Sequence, residues 1–524
     1  MTTRFFAAGS LALALAVAVR AQDPLPGWTS SAIVNARIVD GTGAPPRRGA
    51  VRVENGRIVA VGAVKPRRGD TIVDARGFVL APGFIDIHNH STSGLTDDPS
   101  AATQVAQGIT TIVVGADGSS PWPIAAYLAE RRSNRAAVHV LVMVGHATLR
   151  RRVMGDDYKR PARDEEIARM AALVEQGMQE GAVGLSSGLE YEVGSYSETR
   201  ELVELSKAAA RHRGFYMTHI RDEADRAFEA FKEAIDIGEQ AHIPVQISHI
   251  KLGTVGVWHR SADVVNMIAA ARTRGVDVTA DCYPYDAWHS TITVLVPDKQ
   301  YDNPASVKKA LDDVGGAQNV TIDRDEAHPE FEFKTLDAIA KDRGTTPVDL
   351  FIQIVKDGGA SVIGKSMVED DIRRFYTQPW VMVASDGGIG LRHPRSAGTF
   401  PRVLAKFVRE QHWLSLEEAI RKMTSAPAAR LGLADRGTIA VGKTADLVLF
   451  DPDTIVDRAT FKDPFVLATG VKKVFLAGAT VWDSDKPAAR ASAFSVFPGP
   501  GAVGAAAFGP VAVPASAGGG VNGG

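Results

Sequence analysis

The segment Phe84-Ile85-Asp86-Ile87-His88-Asn89-His90 sets two imidazoles two residues apart at the end of an apolar run. On a strand, residues i and i+2 point to the same side, so both rings can reach one point. His219 ends a second such run in Met217-Thr218-His219, and His249 a third in Ile247-Ser248-His249. Asp386 ends a fourth in Ala384-Ser385-Asp386. Neutral imidazole and carboxylate are the ligands that zinc takes in open catalytic sites. If the four runs are neighbouring strands, His88, His90, His219, His249 and Asp386 converge on a metal.

The elements that must bring them together read as alternating strands and helices. Candidate strands lie near Gly83–His88, Thr110–Gly115, His139–Val144, Ala182–Ser186, Phe215–His219, Pro244–His249, Val276–Asp281 and Val381–Asp386. Helical stretches such as DEEIARMAALVEQGMQE and SETRELVELSKAAARH separate them. Repeated βα units of this kind predict an α/β fold, a (β/α)8 TIM-type barrel over residues 81–435. Active sites of such barrels sit at the C-terminal strand ends, where the four metal-ligand segments fall. The seventh and eighth strands are further apart, which predicts an insertion at 287–378 placed over the barrel mouth.

Residues 30–80 and 436–485 have a different texture, with short alternating runs between glycine turns such as Glu54-Asn55-Gly56. They predict a small β-sandwich domain built from both chain ends. Arg4, the apolar run Phe5 to Val19 and the small residue Ala21 predict a signal peptide over 1–21 and an exported protein without a membrane span after processing. Residues 497–524 are rich in Gly, Ala and Pro and are expected to be disordered. The 524 residues carry 59 basic and 61 acidic side chains, a net charge of −2, which gives no basis for a nucleic-acid partner. The single cysteine, Cys282, permits no intrachain disulfide.

The pattern resembles the amidohydrolase superfamily, and more narrowly the D-aminoacylase (N-acyl-D-amino-acid deacylase) family. The resemblance rests on PGFIDIHNHS, QGITTIVVGADG, EGAVGLSSGLEY, MTHIRDE, ISHIKLG, DCYPYDA and HPRSAGTFPRVL. It implies a zinc-dependent hydrolase of linear amide bonds, acting on a small-molecule substrate with a free carboxylate. It implies one metal site of His88, His90 and Asp386, and a tighter one using His219 and His249. Where the family carries a cysteine after the second strand, this chain has Asp117 in Gly115-Ala116-Asp117-Gly118. Asp117 is therefore expected to be a ligand, with one or two Zn2+ ions bound and Mn2+ or Co2+ accepted. Asp386 is implied as general base and then acid toward a metal-activated water. Lys251, Tyr283 and Arg395 match positions that hold the substrate carboxylate. The stretch Gly184-Leu185-Ser186-Ser187-Gly188 lacks the lysine that hydantoinase and dihydroorotase relatives carry there. Two other readings use the same residues: a metal-dependent dipeptidase or carboxypeptidase-like amidohydrolase, and a non-catalytic secreted binding protein on a degenerate barrel.

Overall fold

The computed structural model describes residues 30–486; the expected signal peptide over 1–21 and the tail over 497–524 lie outside the described residues. The strands Phe84–Asp86, Ile109–Val114 and His139–Val142 pair in parallel in that order. Val144–Gly145, Gly184–Gly188, Phe215–His219, Val245–Ile247, Val278–Cys282 and Val381–Val383 form a second parallel set, also neighbour to neighbour in chain order. Met143 alone separates the two sets along the chain, and its N–H donates to Val114 O at 2.9 Å. At the other edges Asn89 bridges Gly387 in parallel. Beside that bridge, Asp386 N–H donates to His88 O at 3.0 Å. Ile109–Val114 is buried at every position, as a strand covered on both faces must be.

The helices between strands are locally specified. Asp164–Glu180 starts with three acids, and the Glu166 side chain accepts from Arg163 N–H at 2.8 Å. Both features satisfy the free N–H groups and dipole of a helix start. Gly181 ends it at φ 116°, a left-handed conformation that costs glycine little. Ile167, Met170, Val174 and Met178 recur at helical spacing and are buried in the main core. Burying each contributes roughly 1.5–3 kcal/mol.

Two smaller units flank this core. Ser31–Ile38, Arg47–Glu54, Arg57–Gly62, Thr71–Asp74 and Val79–Pro82 join Leu447–Phe450, Val471–Leu476 and Ala479–Asp483 in one eight-stranded sheet, so both ends of the described chain share it. Asn55 and Gly56 take φ 50° and 75°, the left-handed pair that closes a two-residue hairpin. Alternation splits the strands between two cores: Val79, Ala81, Val448 and Phe450 join the main one, while Leu80, Leu447 and Leu449 join a second.

The long segment before the last parallel strand holds Trp288–Thr291, Val320–Arg324 and Ser361–Gly364 as an antiparallel sheet. Pro304–Asp313 and Pro347–Lys356 accompany it, each begun by proline and by a capping side chain, Asn303 or Thr346. Its apolar residues, among them Ile292, Val307, Ile322, Phe351 and Val362, form a core of their own. No described helix is long and apolar enough to cross a membrane.

Candidate metal centre and active site

His88 and His90 lie just past the first parallel strand, and their Nε2 atoms are 3.3 Å apart. Asp386 Oδ1 is 3.0 Å from His90 Nε2 and 3.4 Å from His88 Nε2. Asp117 does not turn away: its Oδ2 is 3.2 Å from His88 Nε2, 3.4 Å from His90 Nε2 and 3.8 Å from His249 Nε2. His249 Nε2 is in turn 2.9 Å from His219 Nδ1. One ligand atom each from His88, Asp117, His249 and Asp386 falls within a 4.8 Å span, and His219, Glu223 and His249 form an overlapping group. All six residues named from the sequence as ligands thus meet at one place.

The strand ends differ from the expectation that His249 and Asp386 close their strands. Pairing stops at Ile247 and Val383. Asp117, His249 and Asp386 take φ 52°, 32° and 48°. Such left-handed backbone cannot continue an extended ladder, and for a residue with a Cβ it costs of order 1–3 kcal/mol. The turns aim the three side chains inward.

Further residues orient the rings, and the sequence reading did not single them out. Asp281 Oδ1 lies 3.3 Å from His88 Nδ1 and accepts from His249 N–H at 2.8 Å. Binding Nδ1 of His88 leaves its Nε2 for the cluster. Glu190 Oε2 lies 2.7 Å from His219 Nε2, leaving that ring's Nδ1 to face His249. Glu223 accepts from Lys251 Nζ at 2.7 Å, and Lys251 also reaches His249 Nδ1 at 2.8 Å. Polar residues just past a parallel strand, as in GLEY and MTHIRDE, and Asp281 at the end of an apolar strand, are the signals that point to them. In the strand Gly184–Gly188, Ser186 Oγ donates to Gly115 O, and no lysine is present.

Burial pushes the Asp386 carboxyl upward, but Arg395, His88 and His249 outweigh it and hold it well below the usual carboxylate range. Asp117 behaves the same way, with burial opposed by His88, His249 and His90. Burial and the adjacent Lys251 ammonium oppose the charge on His249, yet Glu223, Asp386 and Asp117 hold its pKa up at about 9. These ionised oxygens beside imidazoles suit a divalent cation. Asp117 Oδ1, buried and without a hydrogen-bond partner, fits the same reading.

Lys251, Tyr283 and Arg395 are also brought together. The Arg395 guanidinium carbon is 4.8 Å, and Lys251 Nζ 5.9 Å, from the Tyr283 ring centre. Arg395 Nη1 contacts Asp386 Oδ2 at 2.7 Å, while Arg395 Nε and the Tyr283 hydroxyl are buried without a partner. Cys282 stands apart: it is buried, with Sγ against Ile250 O at 3.7 Å, and burial pushes its thiol up. A cavity of about 370 Å³ opens onto His90, Asp117, His219, His249, Asp386, Lys251 and Arg395. Residues of the 288–314 segment supply much of its remaining wall.

The chain's likeness to known proteins agrees with this geometry. A family model described as "Amidohydrolase family" matches residues 71–482. A D-aminoacylase of Alcaligenes xylosoxydans xylosoxydans is 36% identical over 85% of this chain and 93% of its own length. An N-acyl-D-aspartate deacylase from the same organism is 36% identical over 91% and 97%. The solved N-acyl-D-glutamate deacylase of Bordetella bronchiseptica, complexed with zinc and a phosphonate mimic of the tetrahedral intermediate, superposes with a TM-score of 0.79 at 33% identity, covering 86% of this chain and 96% of that one.

Proposed function

The chain belongs to the amidohydrolase family, and from that premise we propose that it is a zinc-dependent hydrolase that deacylates N-acyl-D-amino acids. One observation carries the reading: in a five-residue His/Asp cluster (His88, His90, Asp117, His249, Asp386), all but the buried His88 line the same cavity as Lys251 and Arg395. The relatives named above act on substrates of that kind. His88, His90 and Asp386 would hold one ion, and His219 and His249 a second, with Asp117 able to serve either. Bound there, zinc supplies electrophilic activation of the amide carbonyl and of water.

The chain's own residues do the rest. Arg395 keeps Asp386 ionised, so it enters the reaction as a base. Asp386 takes the proton of the attacking water and returns it to the leaving nitrogen. Arg395 and Lys251, backed by Tyr283, hold the substrate carboxylate, the guanidinium as a planar fork and the ammonium as a point charge. Asp281 and Glu190 fix the imidazole orientations. The two parallel sets close as one barrel, a reading supported by Met143 at one seam and by the Asn89–Gly387 bridge at the other. The sheet shared by the chain ends folds over its own core as a sandwich, a reading supported by Leu80, Leu447 and Leu449 packing in one cluster. Export is supported by the Arg4, Phe5–Val19 and Ala21 arrangement.

The test is a hydrolysis screen of the zinc-loaded protein over N-acetyl-D-amino acids, N-acetyl-L-amino acids and dipeptides, following release of free amine. Turnover of the D-series is expected. Turnover confined to dipeptides, or none at all, would overturn the proposal.

A further inference from the structure

The relatives include a D-aminoacylase, whose name specifies no side chain, and an N-acyl-D-aspartate deacylase at equal identity, so likeness does not choose the side chain. The cavity does. Resting on the deacylase reading above, we infer that the substrate's amino acid bears an uncharged, apolar side chain, and that N-acyl-D-aspartate and N-acyl-D-glutamate are turned over poorly.

Every such substrate carries one carboxylate at the α-carbon. An acidic side chain adds a second, which needs its own cation or loses its hydration uncompensated. Among the described residues lining the cavity, Lys251 and Arg395 are the lysine and arginine present, and both adjoin the metal cluster. Both also already face carboxylates, Glu223 and Asp386. The acids lining the cavity beyond the Asp117 and Asp386 cluster are Glu190, Glu223 and Asp313. His289 in the wall has its Nε2 3.1 Å from Asp323 Oδ2, a carboxylate that also faces Arg392 at 3.3 Å. Lys309, next to Asp313, is held between Asp313 at 2.5 Å and Asp225 at 2.6 Å.

What the insertion presents instead is apolar: Trp288, Val294, Leu295, Pro297, Ala310 and Val314 line the cavity. Such a wall favours each added methylene by about ten-fold or more. Beside these the insertion presents His289, already against Asp323, the Ser290 hydroxyl and the Asp313 carboxylate, and none of its lining residues is a lysine or arginine. The surface that reads the side chain therefore comes from the insertion, while the α-carboxylate and the amide are read at the strand ends.

The measurement is kcat/KM of the zinc-loaded protein for N-acetyl-D-leucine, N-acetyl-D-methionine and N-acetyl-D-phenylalanine against N-acetyl-D-aspartate and N-acetyl-D-glutamate. The apolar group is expected to exceed the acidic group by about 100-fold. Equal or faster turnover of the acidic pair overturns this inference while leaving the deacylase reading intact. Failure to cleave any of the five overturns that reading and this one with it. A second arm uses Val294→Arg, at a half-buried wall position outside the catalytic machinery. It is expected to narrow the apolar-to-acidic ratio by about ten-fold, chiefly through a lower KM for the acidic substrates. An unchanged ratio in a folded variant that retains its zinc content removes Val294 and its neighbours from side-chain recognition and overturns the inference.

Discussion

Arg395 Nη1 sits 2.7 Å from Asp386 Oδ2, so in the proposed reaction the cation that would meet the substrate carboxylate would also neutralise the group that moves the proton. Two tasks fall to one guanidinium, and its planar fork can serve both at once. A lysine ammonium cannot span the same two acceptors with fixed geometry.

Arg395→Lys is therefore expected to raise KM by about ten-fold or more while kcat falls less. Steady-state kinetics on an N-acyl-D-amino acid check this. An unaltered KM would place the substrate carboxylate elsewhere.

Asp117→Ala should lose zinc as well as turnover, because Asp117 Oδ2 faces His88, His90 and His249 together. Metal content after dialysis against a competing chelator is the readout. Asp117→Cys is expected to retain zinc, and to lower the relative uptake of manganese, because thiolate is the softer ligand. Full metal content in the alanine variant would exclude Asp117 as a ligand.

Asp281 is a positioning residue, holding His88 Nδ1 and the His249 backbone N–H. Asp281→Asn keeps the shape but weakens the charge-assisted contact. Zinc affinity is expected to drop by roughly 10–100-fold. Gln246 Nε2 also donates to Asp281 Oδ2 at 2.8 Å, so the metal-free protein is expected to lose some melting temperature as well, and zinc affinity is compared at a temperature where both proteins are folded.

Asp70 gives the pH prediction. Its carboxyl is drawn down from 3.8 to about 2 by hydrogen bonds from Ser30, from Arg67 N–H and from Arg52. A carboxyl lowered in the folded state stabilises at pH values above its unfolded pKa, and the contribution fades as pH falls from about 4 toward 2. Urea midpoints at pH 7 and pH 3 should differ less in Asp70→Asn than in the wild type. An equal drop in both proteins would mean that the carboxylate adds no pH-dependent stability.

The ligand set was legible because His and Asp at the ends of apolar runs break a strong pattern. Phe215–His219 coincides with its expected strand for that reason. His249 and Asp386 were placed on strands that the chain ends two or three residues sooner, because sequence alternation carries no sign of φ at a non-glycine residue. Glu190, Glu223 and Asp281 were hidden differently. Glu190 and Glu223 follow their strands and Asp281 lies near the end of one, but the approach to an imidazole is what sets them apart from solvated acids. The cavity wall was least legible of all, since Val294 and Val314 read as ordinary core until the 288–314 segment is folded over the mouth.

The insertion's apolar core is distinct from the main one, and Trp288 is a residue that packs against both. A mutation inside that smaller core is expected to reach the mouth first, because its residues Leu295, Ala310 and Val314 line the cavity. Substrate preference and hydrolytic chemistry can then drift on separate clocks. A descendant of this chain could acquire a new diet by exchanging one internal cassette, its ancestral engine untouched.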